Sequence, residues 1–235
     1  VLLFKNELQL SLKNKVIPVS LAILSVSVIF MASKSGIITL LLVYGIYIFR
    51  TLYKKQTLNA LLAFCALILI AGMLIWISPV KQRLEQSFEV LLHPEKAAGM
   101  QEGTASRLLA WKTAWQISKD YFPLGTGTGD IKNVTLLYYE KSGYHWPLYY
   151  RLNAHNQLLQ SLSATGFGSL ISLVWILLIP LKTCREKKIL PLIFTVLVFI
   201  NFLFESMLEV QNGVMVITAF YSLWAVRQPA AKKNE

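Results

Sequence analysis

A few side chains in this sequence have the type and spacing to do chemistry. His155 lies in Ala154-His155-Asn156-Gln157, directly before an apolar stretch. On the first turn of a helix starting there, its imidazole would feel the positive end of the helix dipole. That end favours the neutral ring, the form that accepts a proton. The position suits a boundary histidine held by a local hydrogen bond equally well. Glu205 and Glu209, four residues apart, are the one close carboxylate pair. On a helix they could share acid and base work or grip an acceptor, or they could neutralise Lys34, Arg107 or Arg151. Arg107, Trp111 and Trp115 recur at four-residue steps. They share one face of a helix, through about Lys119, that Thr104 or Ser106 can cap.

Between these lies Phe122-Pro123-Leu124-Gly125-Thr126-Gly127-Thr128-Gly129-Asp130. Alternating glycines can cradle phosphate, but no strand precedes this run and no lysine-bearing helix follows it, so a flexible turn is the competing reading. Tyr138, Tyr139, Tyr144, Trp146, Tyr149 and Tyr150 then crowd into thirteen residues with His145 and Arg151. They fit an aromatic belt at a membrane interface or a platform for the C–H faces of sugar rings. Asp120 and Asp130 are ten apart, and His93, His145 and His155 have no metal-ligand spacing and no nearby Cys. No metal and no other cofactor is expected.

The elements that must position these groups follow from composition. The 235 residues are 55% hydrophobic and 15% charged, with mean hydropathy +0.52 and net charge +11. This excludes an ordinary soluble domain, a disordered chain and, with two cysteines (Cys65 and Cys184), a disulfide scaffold. Nearly charge-free runs at Val16–Ala32, Gly36–Phe49, Leu58–Ser78, Leu158–Leu181, Ile189–Ser206 and Gly213–Val226 approach the roughly 20 residues that cross a bilayer. The connectors 1–15, 50–55, 182–188 and 227–235 hold 13 of the 23 Lys and Arg with three acids; the remaining ten basic residues stand with nine acids. Short basic loops stay cytoplasmic, so the predicted protein is an all-α, polytopic membrane protein of about six spans. Both termini are cytoplasmic. Residues 1–78 hold three spans, 79–156 form a long outside loop, and 157–235 hold three more spans and a short basic tail. Charges parcelled out at membrane boundaries also disfavour nucleic acid as a partner.

Within the outside loop, Val80–Leu92 reads as an amphipathic helix lying along the membrane surface, ended by His93-Pro94, with a loop over Glu95–Gly103. Ala164, Gly168 and Ser172 form a small-residue ridge on the fourth span. The chain begins with Val, and a signal peptide over Val1–Ser33 would be unusually long, so a C-terminal portion of a longer membrane protein is expected.

The order of motifs is similar to that of the bacterial O-antigen ligase and O-antigen polymerase superfamily. The resemblance rests on Ser106-Arg107 with Trp111 and Trp115; Pro123-x-Gly125-x-Gly127-x-Gly129; Ala154-His155-Asn156-Gln157-x-Leu159-Gln160 with Gly166; and Phe204-Glu205-Ser206-x-Leu208-Glu209-x-Gln211-x-Gly213. It implies a metal-independent, inverting glycosyltransferase of the bacterial inner membrane. Such an enzyme moves a glycan from undecaprenyl pyrophosphate to a hydroxyl on the periplasmic side. Ligation to the lipid A core is the leading expectation, with glycan polymerisation and protein O-glycosylation as alternatives. The resemblance makes His155 the essential histidine and Arg107 the arginine that holds pyrophosphate. Where the family often has a second arginine, this chain has Ser33-Lys34-Ser35-Gly36; lysine keeps the charge and loses the bidentate fork.

In that chemistry cations must stabilise the departing pyrophosphate, for which Arg107, Lys34 and Arg151 are the candidates. A base must take the acceptor proton, which a neutral His155 can do. Trp111, Tyr149, Glu205 and Glu209 complete the expected substrate-binding set. A transporter or a non-catalytic scaffold is the alternative from another class. Family members usually have more than six spans, so the isolated chain is expected to be inactive alone.

Overall fold

The computed structural model describes residues 23, 25–28, 34–53, 55, 57–76, 78–100, 103–183 and 189–226. All regular structure among them is helical, in line with the all-α expectation. In chain order the helices are α1 (Lys34–Tyr53), α2 (Thr57–Trp76), α3 (Ser78–Leu92), α4 (Gly103–Asp120), α5 (Ile131–Lys141), α6 (His145–Tyr149), α7 (Gln157–Thr165), α8 (Phe167–Thr183), α9 (Ile189–Phe204) and α10 (Gln211–Val226). Short 3-10 turns occupy Pro94–Gly99, where a loop was expected, and Met207–Glu209.

The predicted spans meet these helices unevenly. Most of Val16–Ala32 lies outside the described residues. The runs at 36–49, 58–78, 189–206 and 213–226 correspond to α1, α2, α9 and α10, although α9 stops at Phe204 and leaves Glu205 and Ser206 in the following turn. The run Leu158–Leu181 is two helices rather than one, because Gly166 takes φ 74, a left-handed value that ends α7. Hydropathy does not see this break, since glycine interrupts no apolar run. The ridge of Ala164, Gly168 and Ser172 is thereby split between α7 and α8. Among the described residues no helix is long and apolar enough to cross a membrane.

The chain forms two compact units, Val1–Glu85 and Gln86–Glu235. In the first, α1 packs on α2, and the link between them passes through Lys55 at φ 55. The buried Ser25 hydroxyl meets the Tyr44 hydroxyl at 3.2 Å.

The second unit is built around α4, which touches α5, α6, α7 and the Pro94–Gly99 turn. Its buried stripe is Ala105, Leu109, Ala110, Thr113, Ala114, Ile117 and Ser118. Steps of three and four put these on one side, and the small side chains of Ala105, Ala110, Thr113, Ala114 and Ser118 let neighbouring helices approach closely. The helix starts at Gly103, so Thr104 and Ser106 lie inside its first turn instead of capping it. The Thr104 hydroxyl donates to Ser87 Oγ at 3.0 Å. Three apolar clusters fix the neighbours. Val90, Ala97, Ala105 and Leu109 join the end of α3 to α4. Ile117, Ile131 and Ala164 join α4, α5 and α7. Leu173, Val198, Phe202 and Ile217 join α8, α9 and α10. At the end of α3, Ser87 and Val90 face this core, while Phe88, Leu91 and Leu92 point outward.

Candidate functional site

The glycine run is a clasp. The Thr126 N–H donates to Ser163 O at 3.0 Å, the Gly127 N–H donates to Ala164 O at 2.7 Å, and the Phe167 N–H donates back to Pro123 O at 2.9 Å. Ser163 and Ala164 belong to the last turn of α7, where carbonyls have no amide of their own helix to accept from. The loop supplies the missing donors, so those amides face α7 rather than a phosphate. Gly125 and Gly127 reach this contact with left-handed φ of 75 and 93. A helix bearing Lys132, α5, does follow the run, contrary to the expectation, but the Thr126 and Gly127 amides are taken up by α7, which favours a turn over a phosphate cradle. The contact also makes the turn a packed one.

At the other end of α7, Asn156 is the N-cap: its Oδ1 accepts from the Leu159 N–H at 3.0 Å. His155 therefore stands just before the cap and not on the first helical turn, as the sequence had suggested. Its own backbone is left-handed, with φ 43, and its N–H donates to Asn153 Oδ1 at 3.0 Å. Gln160 Oε1 accepts from the Ala154 N–H at 3.1 Å. The segment carrying His155 is thus held by three amide side chains. Asn156 and its neighbour Gln157 also reach across to the last turn of α9 and to the turn that follows it. Asn156 Nδ2 donates to Leu203 O at 3.1 Å, and Gln157 Oε1 accepts from the Leu208 N–H at 2.7 Å.

Between Leu203 and Leu208 lies Glu205. Its Oε2 meets His155 Nδ1 at 3.0 Å, and its Oε1 accepts a hydrogen bond from Arg107 Nη2. One carboxylate thereby joins α4, the lead-in to α7 and the turn after α9. All three side chains are partly open, at 26% for Arg107, 29% for His155 and 39% for Glu205. Burial pushes the Glu205 carboxyl up, but the His155 hydrogen bond and the charges of Arg107 and His155 outweigh it. The carboxyl is held below its ordinary value of 4.5. With a carboxylate accepting at Nδ1, a neutral imidazole carries its proton there and leaves Nε2 free as an acceptor. Among the described residues Arg107 has no other ion-pair partner, so most of its guanidinium donors remain for a ligand.

The other sequence candidates are placed less closely. Lys34 begins α1 in the first unit, and its side chain lies outside the described residues. Arg151 is exposed in a turn at φ 50. Glu209 is exposed in the 3-10 turn, so the helical i, i+4 face expected for Glu205 and Glu209 does not exist. Tyr149 is 76% exposed and sits edge-on to Tyr150, whose ring stacks with Trp146. Trp111 lines a groove of ≈ 520 Å³ along α4 with Leu108, Lys112, Trp115, Pro94 and Leu159. Sequence alone does not mark Asn156 and Gln157 for these contacts. Asn directly before an apolar helix is a capping signal, but its second bond depends on a contact across the fold.

A separate polar cluster closes the far end of α4. Tyr138 donates to Asp120 Oδ2 at 2.7 Å, and Gln116 Nε2 donates to Asp120 Oδ1 at 2.9 Å. The Tyr138 bond and then the Gln116 bond hold the exposed Asp120 carboxyl below its ordinary range. The Asp120 bond in turn pushes Tyr138 up to about 12. These two tyrosines of the aromatic stretch are structural, since Tyr139 is fully buried with its hydroxyl on Leu152 O at 3.2 Å.

No match was found among curated proteins or among solved structures. Residues 19–174 match the model of the O-antigen ligase family, and the chain belongs to that family, a group of membrane glycosyltransferases of the ligase and polymerase type.

Proposed function

We propose that this member of the O-antigen ligase family transfers a glycan from undecaprenyl pyrophosphate to an acceptor hydroxyl, with the lipid A core as acceptor, at the periplasmic face of the bacterial inner membrane. The observation that carries the reading is the chain of contacts from Arg107 through Glu205 to His155. It sets a cation and a potential base on opposite oxygens of one carboxylate.

In this mechanism His155 Nε2 takes the proton of the acceptor hydroxyl while the oxygen attacks the anomeric carbon. The bond to pyrophosphate breaks on the opposite face, so the anomeric configuration inverts. The imidazolium that forms is stabilised by Glu205 at Nδ1, and a base of this kind contributes about 10²–10⁴-fold. Arg107 receives the charge growing on the pyrophosphate oxygens, with Arg151 as a further cation. These fixed charges do the work that a metal would otherwise do. Trp111 and Tyr149 offer ring faces to sugars, and Glu209 offers a carboxylate to acceptor hydroxyls.

A membrane setting is supported by the outer surface of the helices. On α8, Phe167, Ile171, Val174 and Trp175 are each more than half exposed. An apolar face of that density calls for lipid or another apolar cover. The reading keeps residues 79–156 on the outside, with helical membrane segments before and after.

The deciding experiment deletes the full-length gene in its host and restores it as wild type or His155→Ala. Ligation predicts that polymer stays on the carrier and capped core is lost in both the deletion and the variant. Single repeat units on core would mean polymerisation, and intact polysaccharide with missing glycoproteins would mean protein glycosylation. Full activity of His155→Ala would overturn the mechanism.

A further inference from the structure

We infer that Asn156 is a positioning residue that sets the distance between Glu205 and His155, an inference that rests on the proposed function of that pair.

Asn156 makes two bonds at once. Its Oδ1 caps α7 through the Leu159 N–H at 3.0 Å, which fixes the residue next to His155. Its Nδ2 donates to Leu203 O at 3.1 Å, two residues before Glu205. Leu203 lies in the last turn of α9, where carbonyls have no partner in their own helix. The result is a closed circuit: His155 backbone, Asn156 side chain, Leu203 backbone, Glu205 side chain and back to His155 Nδ1 at 3.0 Å. The Asn156 side chain is the link in that circuit whose loss leaves both ends intact. Asn156 is 8% exposed and lies one residue from the imidazole.

Gln157 supports the same turn from its other side. At 2% exposure, it accepts from the Leu208 N–H at 2.7 Å, three residues after Glu205. The carboxylate is thus suspended between two amide side chains on adjacent residues, both immediately following the histidine it must meet. A purely structural cap would need the bond to Leu159 alone. The bond to Leu203 adds nothing to α7 and acts on the end of α9, from which Glu205 directly follows.

Serine separates the two jobs. It is a good N-cap, so Asn156→Ser keeps α7, but its hydroxyl is too short to reach Leu203 as well. The test measures glycan transfer in membranes containing the full chain, with the host's undecaprenyl-pyrophosphate glycan as donor. It compares wild type, Asn156→Ser, Glu205→Gln and the double variant, with His155→Ala as reference. A misplacement of the order of 1 Å can cost about 10²-fold in rate. Asn156→Ser should therefore lose on the order of 10²-fold in kcat with donor KM nearly unchanged and normal membrane insertion. In the Glu205→Gln background the same change should cost little further, because the residue acts through Glu205. Losses that multiply, a change confined to KM, or full activity of Asn156→Ser would overturn the inference while leaving the proposed function standing. Full activity of His155→Ala would instead overturn the proposed function itself.

Discussion

Gly166 stands directly against Pro123: a Cβ on Gly166 would come within 2.0 Å of the Pro123 carbonyl oxygen, the atom that accepts from the Phe167 N–H at 2.9 Å. The contact ties the loop after α4 to the break between α7 and α8. At φ 74 a side chain is strained even before the clash. Gly166→Ala should cost more than about 1 kcal/mol of stability. Gly168→Ala, two residues on, inside α8 and with nothing within 4 Å, should be neutral or slightly stabilising. Thermal unfolding of the purified full chain in detergent checks the contrast, and equal effects at both positions would contradict the clasp.

The three side chains of the site should separate chemistry from folding. His155→Ala should lose about 10²–10⁴-fold in transfer. Arg107→Lys keeps a positive charge but cannot fork between Glu205 and a phosphate oxygen, so it too should lose most activity. Both should insert normally in the membrane. Glycan transfer and insertion, measured on the same membranes, give the two readouts.

Acid should loosen the junction between α4 and the turn after α9. The Glu205 carboxyl is held below 4.5 by His155 and Arg107 against the opposing effect of burial. A carboxyl whose folded value is depressed contributes stability that is complete above its unfolded value. That contribution is lost as pH falls through the folded one. Stability should thus decline below about pH 4.5 in the wild type. The decline should be shallower in Glu205→Gln, as melting temperatures between pH 3 and pH 6 would show.

The core of the second unit predicts a graded pair of effects. Ile117 is fully buried against Ile131 and Ala164. Ile117→Ala should cost about 2–5 kcal/mol. Tyr139→Phe keeps the buried ring and removes only the bond to Leu152 O, so about 1 kcal/mol is expected. Denaturant or thermal unfolding distinguishes the two.

Tyr149 provides the opposite case. At 76% exposure its ring supports little of the fold. Tyr149→Ala should leave the melting temperature unchanged and raise KM for the glycan donor. A melting temperature lowered as far as in Tyr139→Ala would remove Tyr149 from the binding set.

The sequence made the local features readable and hid the long-range ones. The span of α3 and its stop at His93-Pro94 follow from periodicity and a proline, both written in adjacent residues. The helix bearing Arg107, Trp111 and Trp115 is legible for the same reason. The break at Gly166 is not, because the residues that crowd its backbone, Pro123 and Leu124, lie more than forty residues earlier. The pairing of Glu205 with His155 spans 50 residues and has no periodic signature. Opposite charge makes Glu205 a readable partner for Arg107, but a shared face with Glu209 needs a helix, and α9 ends at Phe204. Asn156 was visible as part of a motif, whereas its second hydrogen bond belongs to a fold and to no window of sequence.

The left-handed backbone at His155 has one more consequence. An L-residue with a full side chain gives up on the order of 1 kcal/mol by sitting there, and asparagine tolerates the conformation at least as well as histidine. The backbone angle by itself therefore gives no reason for an imidazole at this point. His155→Asn should keep the turn, give up the bond to Glu205 and transfer nothing, so that its loss of turnover far exceeds its loss of durability.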